Sequence, residues 1–222
     1  VGLTTPSGLK RKFDSYVAKA ARITTYHEQL VHCADLLKQD RGGHKMITAG
    51  FSWLYTGLLR ETLEALPGLT LYANGDKAEF EEILDNLIAD NQDRLFHRTT
   101  QVDAPLTLAD TLSHYIEFGA DPKAVWKKYG QTVKGILESY LPRRRGEVAM
   151  QPNGLLWAQL DHWALSWMNA YIDGEPVTER PGYQVETNAL WFRSILFAVT
   201  MEREYSKKDS AFLKEWSHIL DL

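Results

Sequence analysis

The spacing of the prolines limits this chain to fairly short helical segments. The 222 residues contain eight prolines, and the segments between them carry apolar residues at intervals of three and four, the period of a helix with one buried face. Because proline lacks a backbone donor and clashes inside a helix, each one is predicted to lie at or near a helix end. The prolines stand at positions 6, 67, 105, 122, 142, 152, 176 and 181.

The apolar periodicity predicts about eight or nine helices. Two of them lie within residues 9–38, where Leu9, Phe13 and Val17 belong to the apolar stripe of the first helix. Residues 77–92 form another, with Asp76 as its N-cap. Another helix begins near Arg60 and runs to Pro67, and the remaining helical segments are 107–118, 121–140, 156–172, 184–205 and 209–220.

Strand signals are scarce, so the sequence predicts an all-α fold. Residues 148–150 and 175–178 are predicted only to pair locally, and nothing alternates strand with helix as a parallel sheet requires. The short loops between helices are typical of antiparallel helix pairs, arranged either as a bundle or as a ring of hairpins. We expect one helical domain over residues 1–222.

Charge and hydropathy exclude two classes of partner. The formal net charge is −4, and basic runs such as the short cluster Arg143–Arg145 do not exceed three residues, which argues against nucleic acid. Apolar runs such as Ile195–Val199 are far shorter than the roughly 20 residues that span a bilayer. A cytoplasmic protein without a membrane segment is therefore expected. Cys33, the single cysteine, is predicted to be a small buried apolar residue.

The aromatic content is high, with seven Trp, ten Tyr and eight Phe. Aromatic side chains in a helical protein either pack the core or line a groove, and their faces stack well on the C–H faces of sugar rings. Core packing is the commoner use for any one residue. The composition is thus compatible with a carbohydrate ligand and does not require one.

Residues 49–71 combine aromatic and charged side chains at the beginning of a helix. Phe51, Trp53 and Tyr55 form an aromatic loop, and Arg60 and Glu61 follow at the start of a helix that is predicted to run to Pro67. Arginine and the helix N-terminus both favour an ionised carboxylate, which indicates a structural ion pair. If the loop and Glu61 instead face a cleft, partial burial favours the protonated form that a proton donor needs.

Residues 152–190 supply a second group of candidates. Trp163 and Trp167 lie four apart, on one face of the predicted helix 156–172, while Glu186 opens the following helix. Paired carboxylates on separate elements are what glycoside hydrolysis requires, one to protonate the leaving oxygen and one to activate water. His162 has no second ligand at suitable sequence spacing, so no metal site is predicted.

Several of these stretches resemble motifs of the glycogen debranching enzymes of the amylo-α-1,6-glucosidase type. The helix after the aromatic loop is similar to G-R-D-T followed by L-P-G-L, and Gln101–Pro105 is similar to S-V-D-A-P. Further on, Asn153–Trp157 resembles N-G-L-[IL]-[WY] and Ser166–Ala170 resembles T-W-M-D-A. The most distinctive match is Val177–Trp191, which resembles V-T-P-R-x-G-x-x-V-E-I-N-A-L-W.

This resemblance implies an (α/α)6 toroid with an active site at one end of the ring, of which the chain would cover the N-terminal half to two-thirds. It implies hydrolysis of α-1,6-linked glucose in glycogen or dextrin, with inversion and without a metal or other cofactor. Glu61 would be the general acid. The residues that would bind the α-glucan oligosaccharide or glycogen are Trp53, Arg60, Asp103, Trp167, Asn169 and Glu186.

The sequence also departs from the family pattern at three places. Glu61 stands where the motif has aspartate, and Asn169 stands where it has aspartate in W-M-D-A. The H-Q-G-type segment that closes the ring in the family is not found. Three alternatives stay open: a piece of a debranching-type glycosidase whose ring another segment completes, a non-catalytic glucan-binding or scaffold protein, and a short toroid completed by a second copy.

Overall fold

The protein is mostly helical. The computed structural model describes residues 5–50, 57–97, 101–142, 148–206 and 210–222, and within these ranges it has nine α-helices, which confirms the all-α prediction. The arrangement of the helices in a toroid stays a prediction. The helices are α1 (Pro6–Ala20), α2 (Tyr26–Leu37), α3 (Leu59–Leu66), α4 (Lys77–Asp90), α5 (Gln92–His97), α6 (Thr107–Glu117), α7 (Pro122–Ser139), α8 (Val185–Tyr205) and α9 (Ala211–Leu220).

Short antiparallel strand pairs join some of the helices. β1 (Lys38–Asp40) pairs with β2 (Lys45–Ile47), which the sequence analysis did not anticipate. β3 (Val148–Met150) pairs with β4 (Leu156–Ala158), and β5 (Tyr171–Ile172) pairs with β6 (Glu175–Pro176), so both predicted local strands are present. Each hairpin is too short to form a layer of its own.

The helix ends follow the sequence signals at most positions. Asp76 is the N-cap of α4, and its carboxylate accepts a hydrogen bond from the Glu79 N–H at 2.8 Å. Pro6 and Pro122 are the first residues of α1 and α7, where the missing N–H has no intrahelical partner to lose.

The α-helix α3 ends at Leu66, before Pro67, as predicted, but the helical path does not stop there. The chain continues as a π-helical turn over Pro67–Tyr72. Because proline has no N–H, it cannot donate to the carbonyl of Leu63. That carbonyl accepts instead from the Thr111 hydroxyl of α6, at 2.9 Å. A side chain from a neighbouring helix thus satisfies the acceptor that proline leaves unpaired, and the helical path survives.

The core lies around α8, which packs against α6, α7 and α9. The buried Trp191 of α8 lies 5.5 Å from the ring of Tyr140 and 5.6 Å from that of Trp216, between ring centroids. Core packing therefore accounts for Trp191 and Trp216, as it does for the buried Trp126. In the part of the chain that the structure describes, no helix is both long enough and apolar enough to cross a membrane.

The helix predicted over residues 156–172 is wrong. Leu156 and Ala158 are buried on either side of the exposed Trp157, which is the two-residue period of a strand. His162 then takes a φ of 62°, which a continuing helix excludes. The loop is held by tertiary contacts instead, including a 2.7 Å hydrogen bond from the Val102 N–H to the carbonyl of Leu165.

The apolar stripe of α1 does not reach the core. No side chain of α1 is buried, and Phe13 is 65% exposed. The helix touches the body through Tyr16, whose ring lies 5.3 Å from that of His32, and through an ion pair of 2.8 Å between Lys19 and Asp35. The amphipathic periodicity predicted the presence of this helix correctly. Its prediction that the apolar stripe is buried is wrong.

Candidate functional site

A buried ion pair joins α3 to the short segment before α6. Arg60 and Asp103 are 4% and 3% exposed. The Arg60 guanidinium donates from Nη2 to Asp103 Oδ1 at 2.6 Å and from Nε to Oδ2 at 3.1 Å. This paired geometry satisfies both charges away from water, so each residue depends on the other for its place in the core.

Asp103 also fixes the loop that carries Trp167. Its Oδ2 accepts a hydrogen bond from the Trp167 backbone N–H at 3.0 Å. The Trp167 indole N–H in turn donates to Oε1 of Glu186 at 3.1 Å. Arg60, Asp103, Trp167 and Glu186 are far apart in the sequence, and these hydrogen bonds join them in one chain. Its buried end is Arg60, and its outer end is the half-exposed ring of Trp167.

Glu186, in the first turn of α8, is held ionised by a second arginine. Both guanidinium nitrogens of Arg180 contact its carboxylate, with Nη2 at 2.9 Å from Oε2. Hydrogen bonding from Arg180 lowers the pKa of Glu186 to about 2, against a smaller effect of burial. At neutral pH Glu186 is therefore an acceptor of hydrogen bonds and has no proton to donate.

Glu61 lies beside this chain without joining it. Its Oε1 is 3.8 Å from Nη1 of Arg60, and its buried Oε2 has no hydrogen-bond partner among the described residues. Glu64 follows three residues later on α3, so the two side chains share one side of the helix. Burial raises the pKa of Glu64, and the carboxylates of Asp103 and Glu61 raise it further, although Arg60 acts in the opposite direction.

The remaining predicted residues are less closely placed. Asn169 is exposed, its backbone N–H donates to the Trp167 carbonyl at 3.0 Å, and its side chain has no partner within the described ranges. Trp163 is also exposed, but it lies in a loop and not on a helical face. Phe51, Trp53 and Tyr55 belong to residues 51–56, outside the described part of the structure.

A cavity of about 510 Å³ adjoins the beginning of α3, within the usual range for small-molecule sites. It lies between β2, α3 and α4, and Leu58 and Thr62 line it on the α3 side. Glu61 does not line it. The cavity and the hydrogen-bond chain therefore border different sides of the same helix.

His162 has neighbours that its sequence spacing did not suggest. The β5–β6 hairpin brings ligand atoms of Glu175 and Glu179 within 4.8 Å of its ring nitrogen and of each other. All three side chains are exposed, and the 2.7 Å ion pair between His162 and Glu175 raises the histidine pKa. The ion pair accounts for the approach of His162 to Glu175.

Four of the predicted residues thus form one connected network: Arg60, Asp103, Trp167 and Glu186. Neither Arg180 nor Glu64 was predicted as a site residue. Arg180 stands in the Val177–Trp191 stretch six residues before its partner, and Glu64 stands one turn after Glu61. Helical spacing was a usable signal for Glu64, whereas the approach of Arg180 to Glu186 depends on the turn at Pro181 and Gly182.

Comparison with known proteins gave one match. A family model described as amylo-alpha-1,6-glucosidase matches residues 27–220. No curated protein and no solved structure matched the chain. The matched range covers the whole hydrogen-bond chain and leaves out α1, the helix that buries no side chain.

Proposed function

Because the chain belongs to the amylo-α-1,6-glucosidase family, we propose that it binds branched α-glucans and hydrolyses α-1,6-linked glucose. The observation that carries the proposal is the position of Glu61. Its carboxyl has a buried oxygen without a hydrogen-bond partner among the described residues, next to a network that includes the exposed Trp167. Because Oε2 accepts no hydrogen bond from the described residues and Oε1 has only the 3.8 Å contact with Arg60, the carboxyl group is available to a glycosidic oxygen.

Each residue of the candidate site has a distinct role in this proposal. Glu61 donates a proton to the leaving oxygen, and Trp167 stacks on a sugar ring. Arg60 and Asp103 are positioning residues, because their polar atoms are engaged with each other and with the Trp167 backbone. Glu186 orients the Trp167 indole, and the exposed Asn169 amide contacts sugar hydroxyls.

Glu64 is the competing proton donor. Burial raises its pKa, so it keeps its proton more readily than an exposed glutamate does. We assign the acid role to Glu61 because its position matches the acidic residue of the family motif. If Glu61 is the acid, its substitution abolishes hydrolysis and that of Glu64 does not. If Glu64 is the acid, the reverse is expected.

The test is glucose release from a branched limit dextrin by the wild type, Glu61→Gln and Glu64→Gln, with Glu138→Gln on the exposed side of α7 as the matched control. We expect Glu61→Gln to lower the rate at least about 100-fold, as loss of an acid catalyst does, while the Glu138 variant keeps it. If only Glu64→Gln loses glucose release, the general acid is Glu64 and not Glu61. Equal rates of glucose release by all four proteins would contradict an acid role for Glu61 and for Glu64 alike.

One observation favours a second function, glucan binding without hydrolysis. Glycoside hydrolysis by inversion needs a second carboxylate that activates water, and in the described residues the carboxylates of Asp103 and Glu186 are engaged by protein donors. A wild-type chain that binds the dextrin in calorimetry and releases no glucose would establish this alternative. A cytoplasmic location and completion of the ring by a second copy or a further segment belong to the same proposal.

A further inference from the structure

A second pair of aromatic side chains lies outside the network described above. Trp157 of β4 and Tyr183, in the turn before α8, are 37% and 45% exposed. Their ring centroids are 5.0 Å apart at an interplanar angle of 86°. This edge-to-face contact leaves part of each ring open to solvent. We call these two residues the aromatic pair.

The polar groups of the aromatic pair form no hydrogen bond with the described residues. Three tryptophans of the described residues donate their indole N–H to protein acceptors: Trp126 to Glu202, Trp167 to Glu186 and Trp191 to the carbonyl of Gly154. The Trp157 indole and the Tyr183 hydroxyl have no such partner in the described ranges. An apolar ring face with a free donor beside it suits a sugar, which presents a C–H face bordered by hydroxyl groups.

The backbone around the aromatic pair is well fixed. Ala158 and Gly182 exchange both backbone hydrogen bonds, at 3.1 and 2.8 Å. Gly182 has a φ of 113°, and a Cβ at this position would lie 3.6 Å from the Trp157 ring. The indole thus rests directly on the Gly182 backbone. A platform that is held in place before a ligand arrives loses less conformational entropy on binding.

The aromatic pair is attached to the same turn of α8 as the proposed site. The amide of Asn188 accepts from the Leu156 N–H at 2.8 Å and donates to the Leu156 carbonyl at 3.1 Å, which fixes the residue before Trp157. Tyr183 precedes Glu186 by three residues, so their Cα atoms are at most about 11 Å apart. One oligosaccharide chain can reach both positions.

We propose that Trp157 and Tyr183 form an additional sugar-binding position, which holds a glucose unit of an α-glucan chain beyond the units bound at Trp167 and Glu186. The inference rests on the proposed function, since it takes the ligand class from it. It adds a dependence on chain length: short oligosaccharides occupy the Trp167 position only, whereas longer ones also contact the aromatic pair.

The experiment is a calorimetric titration with maltose and with maltoheptaose, on the wild type, Trp157→Ala, Tyr183→Ala and Trp167→Ala. We expect each change in the aromatic pair to weaken maltoheptaose binding about 3- to 10-fold, as loss of one aromatic contact implies, and to leave maltose binding within about 2-fold. Trp167→Ala weakens both ligands. Trp157→Phe keeps an aromatic ring against Tyr183 and controls for local unfolding.

The outcomes separate the two proposals. If the wild type binds maltoheptaose and both aromatic-pair variants bind it equally well, the inference is overturned and the proposed function stands. If the wild type binds neither sugar, the proposed function fails and takes the inference with it. If Trp157→Ala instead changes the mass in sedimentation from dimer to monomer, the surface is a contact between two copies, which also overturns the inference.

Discussion

At the scale of single residues, Asp103 connects more of the molecule than any sequence motif suggested. Its carboxylate accepts from Arg60 on α3 and from the backbone of the Trp167 loop. The motif placed Asp103 among the substrate-binding residues, whereas its burial indicates that it acts through Arg60 and Trp167. Removing one partner of a buried pair leaves the other charge without compensation, which costs more than the pair itself contributes.

The change Asp103→Asn keeps the size of the side chain and removes its charge, so Arg60 is left buried and uncompensated. We expect a loss of about 3–5 kcal/mol in the free energy of unfolding, measured by urea titration. The matched control is Glu82→Gln, which breaks the exposed ion pair with Lys45 and should cost less than about 1 kcal/mol. Equal losses in the two variants would contradict the structural role of Asp103.

The Arg180–Glu186 pair predicts a dependence of stability on acid pH. Because the pKa of Glu186 is lowered from 4.5 to about 2 in the folded state, the pair stabilises the fold fully above pH 4.5, and this stabilisation is lost as the pH falls toward 2. The variant Glu186→Gln has no carboxyl group at this position, so this contribution to stability does not change with pH. We therefore expect the urea midpoints of wild type and variant to converge below pH 4.5, whereas Glu138→Gln should follow the wild type throughout. A difference between the two urea midpoints that does not change with pH would contradict the lowered pKa of Glu186.

At the scale of helices and strands, the sequence predicted type and position better than burial. α4, α6, α7, α8 and α9 lie within one or two residues of their predicted bounds, since each has a clear stripe and a capping or proline signal. The segment from Leu156 to Ile172 has apolar residues at helical intervals, but its backbone forms hydrogen bonds with Val102 and with the Asp103 carboxylate. Such distant partners cannot be identified from local spacing, and neither can the network that depends on them.

The contrast between α1 and α4 can be measured with one substitution in each. Phe80 of α4 is fully buried and stacks on Tyr115 with centroids 4.4 Å apart, so Phe80→Ala should lower the free energy of unfolding by about 3–5 kcal/mol. Phe13 of α1 is exposed, and Phe13→Ala should change it by no more than about 0.5 kcal/mol. A large effect at Phe13 would show that α1 packs against the body or against another copy in solution.

At the scale of the whole molecule, the helices from α3 to α9 form one core around α8, and the proposed glucan site lies where α3, the Trp167 loop and the first turn of α8 meet. The toroid and its completion by a second copy or a further segment stay predictions. The exposed apolar side chains of α8, Val185, Phe192 and Leu196, are the surface that such a neighbour would cover. Sedimentation velocity distinguishes a monomer from a dimer directly.

The central claim is that the network ending at Trp167 is a glucan site, and calorimetric titration with a branched maltooligosaccharide tests it most directly. Trp167→Ala removes the exposed ring, while Tyr26→Ala, on the exposed surface of α2, is the aromatic control. We predict saturable binding by the wild type and by the Tyr26 variant, and an affinity at least about 10-fold lower for Trp167→Ala. Absence of binding by the wild type, or equal affinity in all three proteins, would contradict the account.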